Sequence, residues 1–207
     1  LTYHRAHEVW AWARHTTDGL FESVACVPES DEDATYVVVK RTVNGSSVRY
    51  VERFATRRVG DVREGVFVDS SLSFDGRNTG ATTMTASGAS YAAGATVTVT
   101  ASTSTFVSGD VGDWIVLDPD GTTPIRLQVT AYTSGTVVSA EVLTPVPVAY
   151  RATATTNWAW ARNSFSGADH LEGETVTVLA DGFSVGTKTV ASGAFSLTTP
   201  AVIIHAG

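Results

Sequence analysis

The 207-residue sequence predicts an all-β protein, and three observations lead to this fold class. Gly, Thr, Ser, Ala and Val dominate the composition, which favours strands and turns over helices. Short runs rich in Val, Thr and aromatic residues alternate with turn dipeptides such as Asn-Gly and Asp-Gly. The periodicity of these runs is that of strands, so we expect antiparallel meanders and no long helix.

Residues 7–54 predict a four-stranded antiparallel meander, the size of one β-propeller blade. Asp18-Gly19 predicts the first hairpin turn, and an acidic loop is expected at residues 28–33. Asn44-Gly45 predicts a type I′ turn, because this dipeptide tolerates the left-handed backbone that such a turn requires. A β-sandwich sheet is the alternative for this segment. The four strands are expected at residues 7–14, 20–27, 35–43 and 46–54.

The composition changes after Arg77 and stays changed as far as Pro145-Val146-Pro147. Charged residues are rare there and Gly, Ala, Thr and Ser dominate, which predicts a small inserted β-sandwich or barrel domain at residues 79–150. Before it, residues 55–65 predict a solvated charged connector, with an anion site as the alternative. Strands are expected at residues 66–69, 72–76, 96–101, 114–117, 125–133 and 136–143.

A five-residue motif, Trp158-Ala159-Trp160-Ala161-Arg162, repeats Trp10-Ala11-Trp12-Ala13-Arg14 residue for residue. Alternation on a strand places both rings of each pair on one face, and the small alanines suit a buried sheet. A sugar-stacking platform is the alternative for these rings. The repeat predicts that the β body of residues 1–78 resumes at residues 151–207. The strands there are expected at residues 158–162, 174–180, 183–190, 195–197 and 202–205.

Residues 168–182 are the strongest candidate for a chemical site, since they hold four acids and a histidine. A metal or acid/base site would use Asp169, His170, Glu172 and Glu174. Asp169 and His170 are adjacent, however, and on a strand would point to opposite sides. We therefore expect a tight turn at Gly173, a strand, and a hairpin closed by Asp181-Gly182, without a metal or another cofactor.

Other patterns predict no catalytic site. Asp118-Pro119-Asp120-Gly121 resembles part of a calcium loop but lacks the bidentate Glu that should follow. The sequence has no Gly-x-Ser-x-Gly elbow, and its five His are scattered. The hypothesis is a non-enzymatic protein whose marked positions are structural. These positions are Trp10, Trp12, Asn44, Gly45, Trp158, Trp160, Gly173, Asp181 and Gly182.

The net charge and the cysteine content exclude some classes of binding partner and of covalent cross-link. The net charge is −7 without a basic stripe, so specific nucleic-acid binding is not expected. Cys26 is the single cysteine and can form no internal disulfide. No apolar run reaches the length of a membrane span, and residues 1–5 do not resemble a secretory leader. Leu1 begins inside an apparent β segment and residues 202–207 stop just after an apolar run, so we expect a piece of a longer polypeptide.

Five stretches of the sequence carry a family resemblance, at residues 1–19, 21–24, 36–45, 50–53 and 171–182. They resemble structural proteins of tailed bacteriophages, in particular the tail-tube, nozzle or hub proteins of short-tailed, podovirus-type phages. The resemblance covers most of the segments on either side of the insertion. Within the insertion, residues 106–112 resemble a domain that automatic labels liken to part of ubiquitin-activating enzymes. Neither a nucleotide-binding glycine loop nor a catalytic setting around Cys26 accompanies it.

The resemblance implies a virion protein with a β-propeller-like body that forms a ring around the channel through which DNA leaves. Its partners would be other copies of itself and other tail proteins, namely an adaptor and fibres. The implied location is the virion tail, assembled in the cytoplasm of the host bacterium. An adhesin or carbohydrate-binding β module is the alternative, and a hydrolase with an unrecognised site is a third hypothesis.

Overall fold

The computed structural model describes residues 2–4, 8–11, 14–30, 32–56 and 58–207. Antiparallel strands dominate the described residues, and the helical segments there are single 3₁₀ turns, so the predicted all-β fold class is confirmed. The chain divides into two compact units, residues 1–58 and 59–207. The boundaries predicted at 78/79 and 150/151 both fall within the second unit.

The first unit contains a three-stranded antiparallel meander in which the strands follow chain order, β3-β4-β5. The predicted meander had a fourth strand at residues 7–14; the strand observed there, β2, pairs with β1. Asn44 (φ +47°) and Gly45 (φ +74°) have the left-handed backbone of a type I′ turn between β4 and β5. The strands are β1 (Thr2–His4), β2 (Val9–Ala11), β3 (Leu20–Glu29), β4 (Glu32–Val43) and β5 (Ser46–Arg53).

The acidic loop predicted at residues 28–33 is wrong, because β3 continues to Glu29 and β4 begins at Glu32. The negative charge is compensated across the sheet. Nη2 of Arg53 lies 3.1 Å from a carboxylate oxygen of both Glu29 and Glu32. Pro28 is tolerated because β3 is an edge strand.

A buried ion pair holds the middle of the first unit's sheet. The guanidinium of Arg41 on β4 donates to both carboxylate oxygens of Glu52 on β5, at 2.7 and 2.8 Å. It also donates to the backbone carbonyl of Asp18, at 2.6 Å, and so fixes the segment that enters β3. Bidentate pairing of this kind is the geometry in which a buried arginine is best satisfied.

The second unit consists of a seven-stranded sheet and a four-stranded sheet. The seven-stranded sheet has the order β15-β12-β9-β10-β11-β8-β7, and the four-stranded sheet has the order β14-β13-β16-β6. Strands predicted at residues 96–101 and 114–117 have these same bounds. The strands are β6 (Leu72–Asp75), β7 (Met84–Ser87), β8 (Thr96–Ala101), β9 (Trp114–Leu117), β10 (Ile125–Ser134), β11 (Val137–Val142), β12 (Trp158–Ser166), β13 (Thr175–Ala180), β14 (Phe183–Thr189), β15 (Ala194–Ala201) and β16 (Ile203–Ala206).

Two hydrophobic cores lie within the second unit. The first core is formed by inward-facing residues of β7 to β11, such as Val99, Ile115 and Leu127, together with Trp158 at the start of β12. The second core packs Phe165 of β12 and Phe195 of β15 against β13, β16 and β6. The rings of Phe165 and Phe195 stack with centroids 5.5 Å apart.

Segments predicted to flank the insertion are adjacent in the structure. β6 pairs with β16, and the backbone around Arg77 forms a bridge with Ala159. The same β12 that receives this bridge also pairs with β9, which belongs to the segment predicted as an insertion. Residues 79–150 therefore share one sheet with the segment that follows them.

Three strand assignments from the sequence are wrong, and in each case burial of one strand face accounts for the difference. Residues 66–69 are not a strand, and Phe67 is 79% exposed. β7 was not predicted, although its Met84 and Ala86 are buried in the first core. β12 extends through the predicted loop at residues 163–167, because Phe165 reaches the second core.

The second unit should fold without the first, because both of its cores lie entirely within residues 59–207. We expect a fragment of these residues to keep a cooperative thermal transition and dispersed amide signals in NMR spectra. A fragment of residues 79–150 is the comparison. It should not fold cooperatively, because it lacks Trp158 and leaves β9 without β12. A folded 79–150 fragment would contradict this assignment.

Candidate functional site

The acidic stretch at residues 168–174 forms a turn. Asp169–Leu171 is a single 3₁₀ turn, and Gly173 follows with φ +82°, immediately before β13. The carboxylate of Glu172 accepts backbone N–H groups of Ser192 at 3.0 Å and Gly193 at 2.7 Å. Glu172 thus joins this turn to the turn between β14 and β15, and the bend predicted at Gly173 is present.

The remaining polar residues of the stretch have separate surroundings. Nε2 of His170 lies 2.9 Å from the carbonyl oxygen of Ser70. A Cβ at Gly193 would lie 2.5 Å from Oδ1 of Asp169, so a larger residue there would displace this carboxylate. Glu174 is exposed. Within the described residues, no three His, Cys, Asp or Glu side chains converge in a geometry that could hold a metal ion.

Asp181-Gly182 closes the hairpin of β13 and β14, with φ angles of +50° and +85°. The carboxylate of Asp181 has a second role that the sequence did not predict. It accepts the backbone N–H groups of Val202 at 3.1 Å and Ile203 at 2.9 Å. The hairpin turn therefore also fixes the start of β16.

In the turn at residues 118–121, the carboxylate of Asp120, which a calcium site would need as a ligand, accepts hydrogen bonds from the protein. Asp120 accepts the backbone N–H groups of Thr122 at 2.9 Å and Thr123 at 2.8 Å. It also accepts the hydroxyl of Tyr150, at 3.0 Å. These bonds, that of Thr122 first, hold the pKa of Asp120 well below its usual range. The geometry is that of a turn capped by a carboxylate.

The tryptophan motif at residues 158–162 serves core packing. Trp158 is 6% exposed and donates its indole N–H to the carbonyl of Thr82 at 2.9 Å. Trp160 packs edge-to-face on Trp158 and on Phe106, with centroids 6.4 and 5.9 Å away. A sugar platform formed by this pair is wrong, because the Trp158 ring is buried. In the matching motif, Trp10 lies in β2 and Trp12 lies outside the described residues.

An ion cluster at Arg162 was missed by the sequence analysis. Nη2 of Arg162 lies 3.0 Å from Oδ1 of Asp110, and its Nε lies 3.5 Å from Oδ2 of Asp113. The guanidinium also lies over Trp160, 5.4 Å from the ring centroid. Asp110 is 2% exposed, and burial raises the pKa of Asp113 against the opposing effect of Arg162. The segment at residues 106–113 is thereby fastened to β12.

One Ser–His pair could suggest nucleophilic catalysis. Oγ of Ser73 on β6 lies 2.7 Å from Nδ1 of His205 on β16, which is buried. Nε2 of the same ring lies 3.1 Å from the carbonyl oxygen of Arg63. The second ring nitrogen thus meets a backbone carbonyl, where a catalytic triad would place a carboxylate. The pair ties β6 and β16 to the 3₁₀ turn at Val62–Glu64.

The charged connector contains an ion network. Arg77 donates to Asp75 at 2.7 Å and to Glu64 at 2.8 Å. Arg63 donates to Asp61 through its side chain and its backbone N–H. The side-chain hydrogen bonds from Arg63 lower the pKa of Asp61 to about 2, from an ordinary value of 3.8. Each of these arginines therefore already has carboxylate partners.

A scan against protein-family models found no match to this chain, and a search of curated proteins found no similar sequence. The part of the chain that the structure describes has no helix long and apolar enough to cross a bilayer.

Glu172 and Glu174 form a matched pair for testing the turn. Glu172→Ala should lower the free energy of unfolding by about 1–3 kcal/mol, because two backbone N–H groups lose their acceptor. Glu174→Ala should change it by less than about 0.5 kcal/mol. Urea denaturation of both variants measures the difference. Equal effects, or metal bound stoichiometrically by the wild type and lost in the double variant, would contradict the structural role.

Asp61 should make stability depend on pH. Because its folded pKa lies below the unfolded value, its stabilising effect is complete above about pH 4 and disappears as the pH falls towards about 2. We expect the melting temperature of Asp61→Asn to fall less steeply than that of the wild type between about pH 5 and 2. Glu174→Gln is the control and should follow the wild type. Parallel curves for Asp61→Asn would refute this contribution.

Proposed function

We propose that this protein is a structural component of a bacteriophage tail, part of the nozzle or hub that forms the conduit for DNA ejection. It would act without catalysis, as one of several copies in a ring. The proposal rests on the resemblance stated above and on one structural observation, the exposed apolar side chains on both faces of the first unit's sheet. The location that follows is the virion tail, assembled in the host cytoplasm.

The three-stranded sheet of the first unit exposes large apolar side chains on both faces. Leu20, Val24 and Val51 are 65%, 67% and 74% exposed. Val24 is paired with Val37, and Val51 is paired with Val38. Because successive residues of β4 point to opposite faces, Val24 and Val51 lie on opposite sides of the sheet.

A sheet with apolar residues on both faces fits the requirements of a propeller blade, which packs between two neighbours. Exposed apolar surface of this kind also marks protein interfaces in general. Neighbouring copies of the chain or other tail proteins, such as the adaptor, would supply the covering surfaces. Residues 79–150 would be exposed on the tail, where they decorate it or dock a fibre.

The net charge of −7 suits the wall of a DNA conduit. Phosphates bind to clustered lysine and arginine, whereas an acidic surface holds DNA weakly. In the second unit, the described arginines at positions 63, 77 and 162 are paired with carboxylates. Weak adhesion would allow DNA to pass without being retained.

The assembly role can be tested with the full chain. We expect the purified protein to form rings in negative-stain images and a defined oligomer in light scattering. A Val24→Lys, Val51→Lys double variant should give monomers, because it places charge on both faces of the sheet. Val185→Lys, at an exposed position of β14, is the control and should still assemble. A wild type that stays monomeric at all concentrations would contradict the proposal.

A further inference from the structure

A cleft of about 260 Å³ lies in the second unit, on the face of β9 and β12 that is turned away from the first core. Its floor consists of Val116, Ala159 and Ala161, and the indole of Trp114 borders it. The alternation Trp-Ala-Trp-Ala creates this floor, since the two indoles of β12 turn inwards and the alanines outwards. Small outward side chains leave room beside Trp114.

A carboxylate at the edge of the cleft has an unsatisfied oxygen. Oδ1 of Asp118 is shielded from solvent and has no hydrogen-bond partner among the described residues. The backbone of Asp118 is fully used, because its N–H donates to Asn157 and its carbonyl accepts from Gly121. A buried acceptor without a donor destabilises the folded chain, so removal of its charge should not weaken the fold.

An arginine in the same cleft is also unpaired. Arg126 of β10 lines the cleft and is exposed, and it has no side-chain hydrogen bond or ion pair in the part of the chain that the structure describes. It is the single basic residue of residues 78–150. The other arginines of the cleft, Arg63 and Arg77, are held by carboxylates. Arg126 therefore has donors available for a ligand.

We propose that this cleft binds a saccharide. A hydroxyl group donates to the carboxylate of Asp118 where it lines the cleft, a second oxygen accepts from Arg126, and the apolar face of the sugar ring stacks on Trp114. A neutral polyol can donate a hydrogen bond to the carboxylate of Asp118 and accept one from the guanidinium of Arg126. A simple anion is disfavoured by Asp118, and a simple cation is disfavoured by the three arginines.

The size of the cleft agrees with a ligand of this class. A volume of 260 Å³ corresponds to about nine water molecules at roughly 30 Å³ each, which is enough for one sugar ring. The residues that line the cleft all belong to the second unit, whereas the proposed assembly surface belongs to the first. Saccharide binding therefore goes beyond the assembly role and does not depend on it.

The test begins with the full chain on a printed array of oligosaccharides that contain neutral hexoses, N-acetylhexosamines and uronic acids. The oligosaccharide that binds most strongly on the array is then titrated into the protein while tryptophan fluorescence is recorded. We expect saturable binding by the wild type and at least a tenfold loss of affinity in Trp114→Ala, Asp118→Asn and Arg126→Gln. Tyr132→Ala removes an exposed aromatic ring that does not line the cleft, and it should bind as the wild type does.

Folding controls separate binding from damage. Asp118→Asn should melt at or above the wild-type temperature, since it removes a charge that has no partner. If Trp114→Ala is unfolded, Trp114→Phe replaces it and should weaken binding while keeping the fold. The proposal is overturned if the wild type binds no oligosaccharide on the array. It is also overturned if Asp118→Asn and Arg126→Gln both bind with unchanged affinity, which would mean that solvent alone occupies the cleft.

Discussion

Strand β12 contributes to both hydrophobic cores of the second unit, and the arrangement of the other strands there follows from its position. Its first residues pack in the core of β7 to β11, and Phe165 packs in the second core with β6, β13, β15 and β16. Arg162, between them, is fixed by Asp110 and Asp113. Asp110 is buried and needs a cationic partner, so this ion cluster favours the register that places Arg162 beside it.

The predictions from sequence succeeded where the determining signal is local. Asn44-Gly45, Asp181-Gly182 and the bend at Gly173 each require a left-handed backbone, and the neighbouring residues alone reveal that requirement. Alternating valines and threonines likewise predicted β8 with its observed bounds. The all-β class follows from the sum of these local signals, whereas the propeller-like body and the tail function stay proposals.

Prediction was weakest where the decisive partner is distant in sequence. Glu172 binds a turn twenty residues later, and His205 binds Ser73 across most of the unit. The ion pair between Asp110 and Arg162 could not be predicted from residues 106–113, because Arg162 lies in a distant segment of the chain. The cleft has the same origin, since alanines of β12 and Trp114 of β9 meet through strand pairing alone. Composition and residue spacing carry no information about contacts between residues that are distant in the sequence.

The pairing of β6 with β16 has a consequence for folding during synthesis. Leu72 lies opposite Ala206, so β6 must wait for nearly the whole second unit to leave the ribosome. Until then its hydrogen-bonding groups and Phe74 have no sheet to join, while β8, β10 and β11 can already pair with one another. Contacts between such distant residues form late and slowly, because a long loop must first close. The order of translation thus makes the second core the last part of the molecule to form.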